Sequence, residues 1–168
     1  MNMTSPAQQF FCPVSANVYG LDITAFKIRD AHSGTSLFEV RKEPGSVPLA
    51  QGDDSSRFIR YQLGPTFLDL AAVGTEIEFT VGDQPIYNLL MIERHYFKGM
   101  LIKSYEFLNP FAMPGSLNTW DVVYSLPELS PEWKQELINN PYETRSDTFY
   151  FIGDKLVMHN IAEYSYQS

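Results

Sequence analysis

Apolar and polar residues alternate with a period of two along most of this chain, in short stretches cut by Gly, Pro, Asn, Asp and Ser. Alternation puts every second side chain on one face of an extended strand, so the pattern commits the chain to sheets with one dry and one wet face. Strands are predicted at 21–30, 37–40, 57–63, 75–81, 87–97, 100–107, 147–152 and 155–164. Asp30, Ser33 and Gly34 supply the turn of a first hairpin, and Gly82-Asp83-Gln84-Pro85 and Gly153-Asp154 supply later ones. Gly64-Pro65 marks a strand end or bend, and 41–56 reads as a loop. One helix start stands out: Ser130 as N-cap, Pro131 in the first helical position and Glu132 in the first turn, with Asn139-Asn140-Pro141 as the stop. Its Trp133, Leu137 and Ile138 have the spacing of a small helix covering a sheet edge. Such a series in 168 residues makes an all-β chain, an antiparallel β-sandwich with one short surface helix. Residues 1–16 form a short N-terminal segment and 17–168 a single sandwich domain.

Charge and motif content exclude several function classes. Twenty acidic and twelve basic residues give a net charge of −8, and the bases are scattered, which argues against a nucleic-acid partner. The single cysteine, Cys12, excludes an internal disulfide or a thiolate metal cluster. No apolar run approaches the roughly 18–20 residues that span a bilayer, and the first eleven residues lack the basic start and apolar core of a secretory leader. The reading is a soluble cytoplasmic protein without stable membrane insertion. There is no Gly-rich phosphate loop, no GxSxG and no HExxH, and His32, His95 and His159 lie far apart. No enzyme activity, cofactor or metal is expected.

The aromatic content is unusual, with 12 Phe, 10 Tyr and 2 Trp. So many rings imply either an exceptionally aromatic core or an aromatic-lined cavity. Phe26 and Ile28 share one face of the first strand, away from Lys27 and Arg29. Phe26, Tyr61, Phe67, Tyr105 and Tyr150 each fit a core singly, but several buried tyrosine hydroxyls need partners and make a solid hydrocarbon core hard to build. In the strand 87–97, Leu89, Met91, Glu93, His95 and Phe97 point the same way. A carboxylate and an imidazole at the end of an apolar row either lie past the rim in water or pair with each other. Alternatively, they form the polar mouth of an apolar cavity and orient a ligand's polar end. Acid–base catalysis by the pair lacks a nucleophile or oxyanion donor to complete it.

Longer motifs carry a family resemblance. FKIRD at 26–30, AHSGT at 31–35, RFIRYQL at 57–63 and EFTVGDQP at 78–85 resemble the Uncoordinated-119 family. So do MIERHYF at 91–97, NPYETRSDTFYF at 140–151 and DKLVMHNIAEYSY at 154–166, and the likeness runs from about Asn17 to Tyr166. The resemblance implies an immunoglobulin-like β-sandwich, related to the prenyl-binding delta subunit of photoreceptor cyclic-GMP phosphodiesterase, without enzyme activity. It implies a monomeric chaperone that binds the myristoylated amino terminus of cargo proteins between the sheets. Cargo release falls to an Arf-like small GTPase, with the cilium or flagellum as a destination. By the same resemblance Phe26 lines the acyl pocket, Tyr61, Phe67 and Tyr150 form its wall or mouth, and Glu93 and His95 meet the cargo's first residues. Ile28 and Tyr105 complete the candidate set.

Two differences from typical members are expected: a shorter loop after Phe38 and the lack of a long amino-terminal extension. A carrier of prenylated cargo and a solid-core β-sandwich interaction module are the alternatives. Glu93, which suits an incoming amide donor, ranks the prenyl carrier lower.

Overall fold

A computed structural model describes residues 5–42 and 57–168. Nine strands and one α-helix are seen among them: β1 (Asp22–Asp30), β2 (Ser36–Arg41), β3 (Phe58–Gln62), β4 (Ala72–Thr80), β5 (Ile86–Phe97), β6 (Met100–Ala112), β7 (Leu117–Ser125), α1 (Pro131–Asn139), β8 (Thr144–Ile152) and β9 (Lys155–Ser165). They form a four-stranded sheet in the order β2-β1-β4-β7 and a five-stranded sheet in the order β3-β9-β8-β5-β6. The sandwich expected from alternation is present. From residue 43 onward, the loop read at 41–56 lies outside the described residues.

Turn chemistry sets the hairpins. Asp30 accepts from the His32 N–H at 2.9 Å and from Ser33 Oγ at 2.9 Å, and Gly34 takes φ 76°, so β1 folds back onto β2. Lys98 (φ 48°) and Gly99 (φ 82°) join β5 to β6 with two positive-φ residues, which matches the right-handed twist of the strands. The helix starts at the expected cap, the Trp133 N–H donating to Ser130 Oγ at 3.2 Å.

The structure adds to the sequence reading in two places. β7 was not predicted, although Trp120, Val122 and Tyr124 alternate inward with exposed neighbours. One strand pair also departs from the antiparallel expectation, since β3 runs parallel to β9, Phe58 opposite Ile161 through Gln62 opposite Ser165. The chain leaves the edge of one sheet after β2 and joins the edge of the other as β3, a crossover that fixes its direction against β9.

The N-terminal residues lie against the outer face of the five-stranded sheet. Ala7 N–H donates to Asp147 Oδ2 at 2.9 Å, and Phe11 N–H donates to His159 Nδ1 at 3.0 Å. His159 Nε2 meets Asp147 Oδ1 at 3.1 Å, and Arg145 donates to the Ala7 carbonyl. Asp147 and His159 are fully buried beneath this segment, and Cys12 is buried within it. Side chains of β8 and β9 satisfy backbone groups of a segment that has no strand of its own.

Between the sheets the apolar core divides in two. One cluster gathers Leu21, Ile77, Phe79, Ile86, Leu89, Met91 and Trp120, and the other Ile28, Tyr61, Leu68, Val73, Leu137, Tyr164 and Tyr166. Continuous packing would give one cluster in a domain of this size. The division marks where the sandwich is hollow.

Candidate functional site

The hollow is a cavity of about 450 Å³ lined by members of both clusters. That volume lies within the roughly 300–1,000 Å³ usual for small-molecule sites. Its walls come from β1 (Ile23, Phe26, Ile28), β4 (Val73, Ile77), β3 (Ile59, Tyr61) and the 3-10 turn Pro65–Asp69, which contributes Phe67 and Leu68. All eight residues singled out from the sequence line it: Phe26, Ile28, Tyr61, Phe67, Glu93, His95, Tyr105 and Tyr150.

Register in the five-stranded sheet arranges the floor in rows. Met91 of β5 lies opposite Phe107 of β6 and Tyr150 of β8, Glu93 opposite Tyr105 and Thr148, and His95 opposite Lys103 and Ser146. Thr148 in turn faces Asn160 of β9. The floor therefore changes from apolar to polar within two rows. Exposure rises along them too, from Met91 at 1% through the Glu93 side chain at 13% to the His95 side chain at 24%. The polar rows lie toward the opening.

Glu93 is held from both sheets. Tyr124 of β7 donates its hydroxyl to Glu93 Oε2 across the gap. His95 Nε2 lies 3.2 Å from Glu93 Oε1, close but poorly aligned for a hydrogen bond. Tyr105 adds a second brace between the sheets, donating to the Ser125 carbonyl at 3.0 Å. The Tyr105 and Tyr124 rings meet edge to face at 4.7 Å, and Phe107 packs on Tyr124 at 5.0 Å. Burial is the main cause of the raised hydroxyl pKa values of Tyr61, Tyr124, Tyr150 and Tyr164, and the nearby Glu93 charge adds to it. Half-buried Tyr105 is pushed up to about 12 by the same two causes. These hydroxyls stay neutral donors beside the carboxylate.

Away from Glu93 the wall is a ladder of rings. Tyr61 stacks on Tyr164 at 5.2 Å, Tyr164 on Tyr166 at 6.5 Å, and Phe67 on Tyr166 at 5.9 Å. Stacked rings of this kind give the wall broad, flat apolar faces.

A filled sandwich core, one of the alternatives drawn from the sequence, is not what these residues build. Sequence reasoning missed Tyr124, Tyr164, Tyr166 and Leu137 as wall residues. Tyr124 lay in the overlooked strand, and Leu137 came from a helix read only as an edge cover. No group of His, Cys, Asp and Glu among the described residues could hold a metal ion. Nor is any helix among them long and apolar enough to cross a membrane.

Comparison with known proteins agrees with this geometry. Residues 15–166 match the family described as GMP-PDE, delta subunit. Protein unc-119 of Caenorhabditis elegans is 47% identical over 163 residues, covering 96% of this chain and 74% of the relative. Protein unc-119 homolog B of Danio rerio is 45% identical over 174 residues, covering 99% of this chain and 71% of the relative. Protein unc-119 homolog B of Homo sapiens is 43% identical over 178 residues, covering 99% and 69%. The chain belongs to the unc-119 family. An unc-119 protein is a carrier related to the GMP-PDE delta subunit and not an enzyme. Its role is lipid binding and trafficking, and this unc-119 chain has a largely apolar hollow between its sheets.

Proposed function

We propose that the cavity takes the myristoylated amino terminus of cargo proteins and shields the acyl chain while the cargo moves between membranes. The observation that carries this reading is Glu93. It is a carboxylate fixed by Tyr124 and flanked by His95 at the polar end of a largely apolar, ring-walled slot. A saturated chain needs only dry, shaped space, but the amide that ends it carries an N–H that must stay hydrogen-bonded. In this reading Glu93 supplies the acceptor for that N–H.

The energetics suit a carrier. Burying about a dozen methylenes at roughly 0.8 kcal/mol each gives a gross transfer near 10 kcal/mol. One myristoyl chain holds a protein on a bilayer only marginally, so a dry slot of matching shape competes well with the membrane. The net charge of −8 disfavours adhesion of the carrier itself to anionic leaflets. Release by an Arf-like small GTPase, in transport toward a cilium or flagellum, completes the proposal and rests on the family resemblance.

Native mass spectrometry with a myristoylated peptide and its unacylated twin tests the reading. A complex with the first alone is expected, and equal complexes with both would overturn it. Competition by a farnesylated peptide separates acyl from prenyl preference, with the myristoylated peptide expected to win.

A further inference from the structure

Three lysine or arginine side chains are found among the described residues lining the cavity. Lys42 is paired with Asp22 at 2.9 Å, and Arg57 donates to the Cys12 carbonyl at 2.8 Å and lies over the Phe10 ring at 3.8 Å. Lys103 has no carboxylate partner among the described residues, and its ammonium is 5.9 Å from the centre of the Tyr105 ring. Most cations in this acid-rich chain are paired: Arg29 with Asp121, Arg41 with Glu78, Arg60 with Glu163 and Lys134 with Asp69. With 20 acidic residues for 12 basic ones, an ammonium without an acid at the mouth of the cavity is notable.

Its position is set by the sheet. Lys103 lies directly opposite His95, one row beyond Glu93 toward the opening, and is exposed. Two residues along a strand and one strand across put its backbone about 8 Å from that of Glu93. Ile102 lines the cavity beside it, and Leu126, Pro127 and Leu129 do so from the segment after β7.

We propose that Lys103 is a specificity-determining residue that favours cargo with an acidic side chain at the second to fourth residue after the acylated glycine, and disfavours Lys or Arg there. This rests on the carrier reading above. If Glu93 holds the acyl amide, an extended peptide advancing about 3.3 Å per residue passes Lys103 within that span. An acidic side chain there meets a cation that no carboxylate among the described residues holds, whereas a basic one meets like charge.

The test uses the full chain and fluorescent myristoylated glycine peptides that differ by one Glu, Gln or Lys, moved from the third to the fifth residue. At one position the Glu peptide should bind about fivefold more tightly than the Lys peptide, the scale of a partly exposed ion pair. The preference should vanish in Lys103→Gln, reverse in Lys103→Glu and shrink in 0.5 M salt. An unchanged Glu-to-Lys ratio in Lys103→Gln would overturn the proposal, as would equal losses for all three peptides. Acylated peptides that bind without charge preference would remove the role of Lys103 and leave the carrier reading standing. Failure of every acylated peptide to bind would remove both.

Discussion

Tyr124 and Glu93 belong to different sheets, and the hydroxyl of the first donates to the carboxylate of the second across the hollow between them. This contact both braces the sandwich and fixes the direction in which the carboxylate faces. The two roles separate by mutation. Glu93→Ala should weaken myristoyl-peptide binding ten- to a hundredfold, the loss of a charged hydrogen bond worth about 1.5–3 kcal/mol. Tyr124→Phe should weaken it less, because the acceptor remains but is less firmly held. Fluorescence polarisation beside thermal melting checks both. A lowered melting temperature with unchanged affinity would make Glu93 a brace alone.

Phe67→Trp should narrow the slot. Phe67 is half-buried on the turn after β3, its ring stacked on Tyr166 at 5.9 Å. A larger ring there has the cavity to grow into, so the fold should tolerate it while acyl affinity falls about tenfold or more. Titration of the folded variant with a myristoylated peptide tests this. An unfolded variant with undiminished affinity per folded molecule would mean that Phe67 is core.

The N-terminal segment should come loose when its anchor is cut. Asp147→Ala leaves the Ala7 N–H, His159 Nε2 and Arg145 without their shared acceptor beneath the segment. Breaking a buried pair of this kind costs about 3 kcal/mol or more. Urea unfolding should show that loss. The buried Cys12 thiol, shielded in the native protein, should also become reactive to a maleimide before global unfolding.

Alkaline conditions should destabilise the protein from a defined side. Tyr61, Tyr124, Tyr150, Tyr164 and Tyr166 have raised pKa values when folded, chiefly through burial, and Tyr105 is raised to about 12. The folded state thus keeps protons that the unfolded chain gives up above its ordinary tyrosine value near 10. The stability these groups contribute is fully present below that pH and is lost as pH rises toward the folded-state values. The urea midpoint should therefore fall above about pH 10. Phenolate absorbance from these rings should appear with unfolding rather than before it.

The first, fifth, eighth and ninth strands were legible because alternation, a turn residue at each end and burial of one face all agree there. The latter half of β6 was not. Asn109-Pro110 reads as a turn, yet β6 is an edge strand and tolerates a residue without an N–H on its open side. β7 follows Pro114-Gly115-Ser116, and its Asn118, Thr119 and Asp121 look like loop until Trp120, Val122 and Tyr124 are seen to face inward. The candidate site was legible as faces, with Glu93 and His95 together on one side of a strand. The rows across strands were not. Which residue stands opposite Glu93 depends on register between distant segments, and register is set by tertiary packing.

The pairing of β3 with β9 bears on how the protein is made. Residues 58–62 find their neighbour only at 161–165, so a nascent chain emerging from the ribosome must carry β3 unpaired until β9 has been synthesised. Such long-range closure makes folding slow and leaves an exposed edge in the meantime. The wall bearing Tyr61 therefore closes only once β9 has joined its sheet, whatever the order in which the other strands pair.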